Sequence, residues 1–163
     1  MPKRKTAKRK TAAPAKKRAP ATKKHEFGSY TTTRGTMKIM VPPFWTMRQT
    51  NEDLELHAPS GKTAVYVTSY IGNGTSHKHD AREYLRTFLS NAQIAGRATI
   101  KETGKLRAEA RYKDPDGDHW VLSFLTNGKR MLLATCNTNL PRRNGEASTG
   151  VQVIQSISFG KRS

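Results

Sequence analysis

Residues 106–136 carry the most regular hydrophobic pattern in the chain, and its period is that of β-strands. Ala108, Ala110 and Tyr112 alternate with Arg107, Glu109 and Arg111. A period of two puts one set of side chains on each face of a strand. From His119 to Leu125 both sets are apolar, with Trp120, Leu122 and Phe124 on one side and Val121 and Leu125 on the other. The same holds for Met131 and Leu133 against Leu132 and Ala134. A strand apolar on both faces must be covered on both. Asp114-Pro-Asp-Gly-Asp118 supplies residues that turn a chain for backbone reasons. Asn127-Gly128 is the strongest two-residue hairpin signal, because both central residues of a type I′ turn need positive φ. The pattern predicts a three-strand meander. Its outer strand exposes Arg107, Glu109 and Arg111, and its inner pair is enclosed on both sides.

The preceding residues read as further strands and one helix. Phe27, Tyr30 and the neighbouring threonines suit a first strand, and Met37-Lys-Ile-Met-Val41 a second. Pro42-Pro43 ends the second, since proline cannot donate to a ladder. Leu54-Glu-Leu-His-Ala58 alternates, and Ala64-Val-Tyr-Val-Thr-Ser-Tyr70 is rich in β-branched and aromatic residues. Residues 80–93 predict a helix. Asp80 can cap it, Glu83 stands three residues later, and Ala81, Leu85, Phe88, Leu89 and Ala92 form one apolar stripe. Ala98-Thr-Ile-Lys101 is one more strand leading into the meander. In residues 147–159, Val151, Ile154 and Ile157 recur at helical spacing, while Val151, Val153 and Ile157 suit a strand. Periodicity leaves both open. The need for a second cover on the inner strands favours a helix capped by Ser148.

Three stretches carry a family resemblance: Val41-Pro-Pro-Phe-Trp45, Leu54-Glu-Leu-His-Ala-Pro59 and Ala64-Val-Tyr-Val-Thr68. With the helix, meander and closing helix that follow, residues 26–160 resemble the PsbP-like domains. The resemblance implies an antiparallel sheet between helices, an α/β/α sandwich, and no shared catalytic set. The fold class expected is therefore α+β. A single domain spans residues 25–160, with a basic arm before it and a short basic tail at 161–163.

Charge sets the arm apart. The chain has 163 residues and a net charge of +18. Residues 1–24 hold eleven Lys or Arg and no acid, and the rest of the chain carries +7. The eleven are Lys3, Arg4, Lys5, Lys8, Arg9, Lys10, Lys16, Lys17, Arg18, Lys23 and Lys24. The arm repeats Lys-Arg-Lys-Thr-Ala and has no large apolar residue after Met1, so it should be disordered. Fully extended it would reach about 80 Å. Its composition resembles the tails of linker histones and bacterial histone-like proteins, which implies binding to DNA phosphates without reading sequence. It is a departure from the photosynthetic PsbP members. No apolar run is long enough to span a bilayer, no signal-peptide core is seen, and a single cysteine, Cys136, excludes an internal disulfide.

The remaining chemistry is sparse. His77-Lys-His79 could grip a metal weakly, but no clear third ligand is nearby in the sequence, and no metal or cofactor is expected. Asp114 to Asp118 lacks the spaced Gly and closing Glu of a calcium loop and reads as a hairpin turn. Cys136 ends an apolar strand and reads as a small buried hydrophobe. Trp45, Tyr66, Trp120 and Phe124 suggest core packing ahead of base stacking. Arg107, Arg111 and Lys113, with Lys129 and Arg130 at the hairpin tip and Arg142 and Arg143 in the late loop, form a candidate second basic patch. The expectation is a non-enzymatic protein that binds nucleic acid, foremost duplex DNA, through its arm. Its body would engage a protein partner. Its location would be the nucleoid of a bacterium or the nucleus of a eukaryote. A small packaging protein with a genome-neutralising arm is the structural alternative. A ligand-binding domain with an incidental tail is the third.

Overall fold

A computed structural model describes residues 25–71 and 80–160. The chain forms β1 (Glu26–Thr32), β2 (Gly35–Val41), β3 (Thr46–Gln49), β4 (Asp53–His57) and β5 (Thr63–Ile71). There follow α1 (Ala81–Asn91), a short 3-10 turn (Ala95–Arg97), β6 (Thr99–Gly104), β7 (Arg107–Lys113), β8 (His119–Thr126) and β9 (Arg130–Thr138). The last elements are α2 (Gly145–Ser156) and β10 (Ser158–Phe159). The fold is α+β, mostly antiparallel sheet with two helices. A seven-stranded sheet runs β3-β4-β5-β9-β8-β7-β6, and a three-stranded sheet runs β1-β2-β10. The basic arm, His77, His79 and the tail at 161–163 lie outside the described residues.

Opposite faces of the large sheet feed two separate cores. Val121 and Leu125 of β8, with Leu132, Ala134 and Cys136 of β9, pack with Val153, Ile154 and Ile157 and with Met37 and Ile39 of β2. The intervening Leu122, Phe124 and Met131 pack with Ala108, Ala110 and the α1 stripe of Ala81, Leu85 and Leu89. Fully burying a leucine contributes about 1.5–3 kcal/mol, so these rows fix the register. The Asp80 carboxylate starts α1 by accepting from the Arg82 amide at 2.9 Å. Ala92 falls outside the stripe. It is the exposed C-cap, because the helix has already ended at Asn91.

Several expectations need correction. β7 is not an outer strand, since β6 pairs with it on its far side and β8 on the other. Its alternate residues meet the α2 side of the sheet rather than solvent, and Glu109 is buried there. The last segment is both helix and strand: α2 stops at Ser156, and Ser158 and Phe159 pair with Lys38 and Met37. The α2 cap is Asn144, whose side chain accepts from the Glu146 amide at 2.8 Å, not Ser148. The β8–β9 hairpin turns one residue later than Asn127-Gly128. The register pairs Thr126 with Met131, and only Gly128 of the loop has positive φ, at 86°. The central pair is therefore Gly128-Lys129, with glycine at the first position as a type II′ turn requires. Asn127 instead accepts from the Lys129 and Arg130 amides through Oδ1.

Candidate functional site

The seven arginines and lysines of the candidate second patch do not form one surface. Arg107 lies at the β7 end that pairs with Leu125, beside the Lys129 and Arg130 hairpin, whereas Arg111 and Lys113 lie at the other end, opposite Val121 and His119. Arg142 and Arg143 belong to that second end, in the loop between β9 and α2. Arg107 donates to the backbone carbonyls of Ile154 and Gln155 and to Ser123 Oγ. Burial pushes its guanidinium pKa down, and the neighbouring Glu109 carboxylate partly offsets this. Arg130 is not at a hairpin tip. It is 7% exposed, donates to the Thr36 carbonyl at 3.3 Å and lies over the Phe159 ring at 5.4 Å. A side chain at Gly35, itself at φ +114°, would land on that guanidinium.

Arg111 and Arg142 meet at a cleft of about 290 Å³ between α2 and the β7-β8-β9 part of the sheet. Register builds its floor. Arg111, Val121 and Cys136 form one row across three strands, and His119 with Thr138 the row beside it. Ala147 and Val151 of α2 close the apolar side, and Ser148, Gln152 and Gln155 form a polar wall. Gly150 lets the helix come this close: a Cβ there would stand 2.7 Å from Cys136 Sγ and 3.0 Å from Thr63 Cγ2. The buried Cys136 thiol has its pKa pushed up to about 12 by loss of solvent, so it is neutral and not a nucleophile.

The electrostatics of this cleft are one-sided. Among the described residues, two guanidinium groups line it and no acidic residue does. Neither Arg111 nor Arg142 makes a side-chain hydrogen bond or ion pair among the described residues. Glu109, two positions along β7, is held by Arg107 at 3.7 Å. His119 Nδ1 is buried without a hydrogen-bond partner among the described residues. The arrangement suits an anion.

The aromatic residues divide. Phe124 is core, and Trp45 packs half-buried on the α2-side core. Tyr66 stands 36% exposed, edge-on to His57 at 5.7 Å. Trp120 is not enclosed between sheet and helix. It is half-buried, stacks on Tyr112 at 6.0 Å and donates its indole N–H to Asp114 Oδ2 at 2.9 Å. That bond is the largest of the causes holding the Asp114 carboxyl below the ordinary aspartate range. The Asp114 to Asp118 segment is the hairpin turn expected, with Gly117 at positive φ and its amide donating to the Asp114 carbonyl. His119, Gln152 and Gln155 were not singled out by sequence reasoning, since only strand register and helix placement bring them together.

No family model and no curated protein matches the sequence. Solved structures share the fold. The solution structure of the cyanobacterial PsbP, CyanoP, from Synechocystis sp. PCC 6803 aligns with a TM-score of 0.56 at 14% identity, over 89% of this chain and 99% of that one. A crystal structure from Bacteroides thetaiotaomicron VPI-5482 aligns with a TM-score of 0.53 at 12% identity over 82% of this chain. This chain spans about half the length of that protein, 48%. The body has a PsbP-like fold.

Proposed function

We propose that this protein binds nucleic acid without sequence preference, duplex DNA foremost, through the cations of residues 1–24, and that it is not an enzyme. The PsbP-like body, read as an α/β/α sandwich with one helix on each face of the large sheet, then serves as a protein-interaction or assembly module. The observation that carries this reading is the charge distribution, with eleven Lys or Arg and no acid among the first 24 residues. Lys and Arg on phosphates release counterions and position a protein without specifying sequence. On this reading the protein resides with the nucleoid or in the nucleus.

Salt titration of DNA binding tests it. If roughly five to eight phosphates are neutralised, log K against log salt should slope at about −4.5 to −7. Replacing Lys3, Arg4, Lys5, Lys8, Arg9 and Lys10 together with Gln should flatten the slope and weaken all duplexes alike. Unchanged affinity of that variant at about 0.15 M salt, where screening already acts within about 8 Å, defeats the proposal. The basic cleft favours the third reading, a ligand-binding domain with an incidental tail.

A further inference from the structure

We infer that the cleft between α2 and β7-β8-β9 is a binding site for a phosphomonoester carried on a small apolar body. This inference goes beyond the nucleic-acid reading and does not depend on it. Arg111 from β7 and Arg142 from the loop before α2 reach the same cleft from different elements. Arg111 is half-buried and Arg142 exposed, and among the described residues no carboxylate lines the cleft to pair with them. A dianion can pair with both. Guanidinium forks match phosphate oxygens two at a time.

The two arginines point to phosphate rather than carboxylate. Two guanidinium forks bring at least four N–H donors to the cleft. A phosphomonoester has three terminal oxygens to accept them and a carboxylate two. His119 lines the cleft from the strand between the one that bears Arg111 and the one that leads to Arg142. The rest of the ligand follows from the lining: Val121, Cys136, Ala147 and Val151 present apolar surface, and Gln152 and Gln155 add amides on the helix side. A volume of about 290 Å³ is at the lower end for small-molecule sites. It holds one ring and its phosphate, not a double helix.

Calorimetric titration of the full chain with phenyl phosphate, benzoate and phenol tests the inference. A parallel titration uses Arg111→Gln/Arg142→Gln, in which residues 1–24 are unchanged and cancel from the comparison. Phenyl phosphate should bind the parent chain and lose at least tenfold in the double variant. Benzoate should bind at least tenfold more weakly than phenyl phosphate, and phenol not at all. Ser148→Trp keeps both arginines but fills the mouth of the cleft, and it should lose binding as well. Full binding by Ser148→Trp would reduce the effect to surface charge and overturn the site. Equal binding by the parent chain and the double variant, or none by either, would overturn it too. A thymidine oligomer with and without a 5′-phosphate distinguishes the source. If its binding depends on Arg111 and Arg142 only when phosphorylated, the site also takes a strand end. If the 5′-phosphate makes no difference while phenyl phosphate binds, the ligand is a free small molecule.

Discussion

Arg107 closes the C-terminal end of α2 from a neighbouring strand: its Nη2 donates to the Ile154 carbonyl at 2.7 Å, and its Nη1 to the Gln155 carbonyl at 3.1 Å. The last carbonyls of a helix have no partner within it, and they form the negative end of its dipole. The same guanidinium stands 3.7 Å from the buried Glu109 carboxylate. Arg107→Met therefore removes a helix cap and strands a buried charge together. Hydrogen bonds to charged groups contribute about 1.5–3 kcal/mol. We expect a loss of about 2–4 kcal/mol in urea denaturation, with the salt slope of DNA binding unaltered. A flattened slope in the folded variant would return Arg107 to the phosphate-binding set.

Gly150 and Cys136 make a second test. Alanine normally gains about 1 kcal/mol over glycine inside a helix. Here the added methyl meets Cys136 Sγ at 2.7 Å and Thr63 Cγ2 at 3.0 Å. Gly150→Ala should destabilise by about 1–3 kcal/mol, as overpacked cores do. Cys136→Ala in the same chain should recover most of it. Additive effects in that double-mutant cycle would show that the two residues do not meet.

Cys136 should also be chemically quiet. With its pKa pushed up to about 12, almost no thiolate exists at neutral pH. A chromogenic disulfide reagent at about pH 8 should react slowly with the native protein and rapidly in denaturant. Rapid native reaction would mean the cleft floor opens to solvent.

Asp114 links the fold to acid. Its carboxyl is held below the ordinary aspartate value of 3.8, first by the Trp120 indole N–H and then by backbone amides. A depressed folded pKa gives stability that is present above the unfolded value and is lost as pH falls through the folded one. The stability gap between the parent chain and Asp114→Asn should therefore be full near neutrality and close below about pH 3.8. A gap independent of pH would place that stability outside the carboxylate's charge.

Trp120 itself is only half-buried. Truncation of a core tryptophan costs about 3–5 kcal/mol, whereas an aromatic stack adds about 0.5–1.5 kcal/mol beyond its area. Trp120→Ala should fall between, at about 2 kcal/mol, with loss of the near-ultraviolet signal from the Tyr112 pair. A cost at the core level would show that something else covers the ring.

The strands were readable because their period is local: Ala108, Ala110 and Tyr112 declare a face whatever pairs with them. Asp80 could be read as the α1 cap for the same reason. Arg107 and Arg111 share a face and a charge, yet one is spent on helix carbonyls and the other lines a cleft. The difference is where α2 ends above the sheet, which no property of β7 encodes. Asn127-Gly128 is so strong a turn signal that the sequence alone puts Arg130 at a hairpin tip. Pairing between β8 and β9 moved the turn by one residue and turned Arg130 inward toward Thr36 and Phe159. The cleft was invisible for a similar reason. Its Arg111-Val121-Cys136 row exists only once three strands are in register.

The small sheet holds the two ends of the described body on either side of one strand. β1 is fastened to β2 by seven register pairs, from Glu26 with Val41 to Thr32 with Gly35, and β10 by only Ser158 with Lys38 and Phe159 with Met37. Both strands run antiparallel to β2, so residue 26 lies toward one end of it and residue 159 toward the other. Tension applied between them would load both ladders in shear. The shorter one would yield first, and α2 would be the next element drawn away, uncovering the floor beneath Arg111.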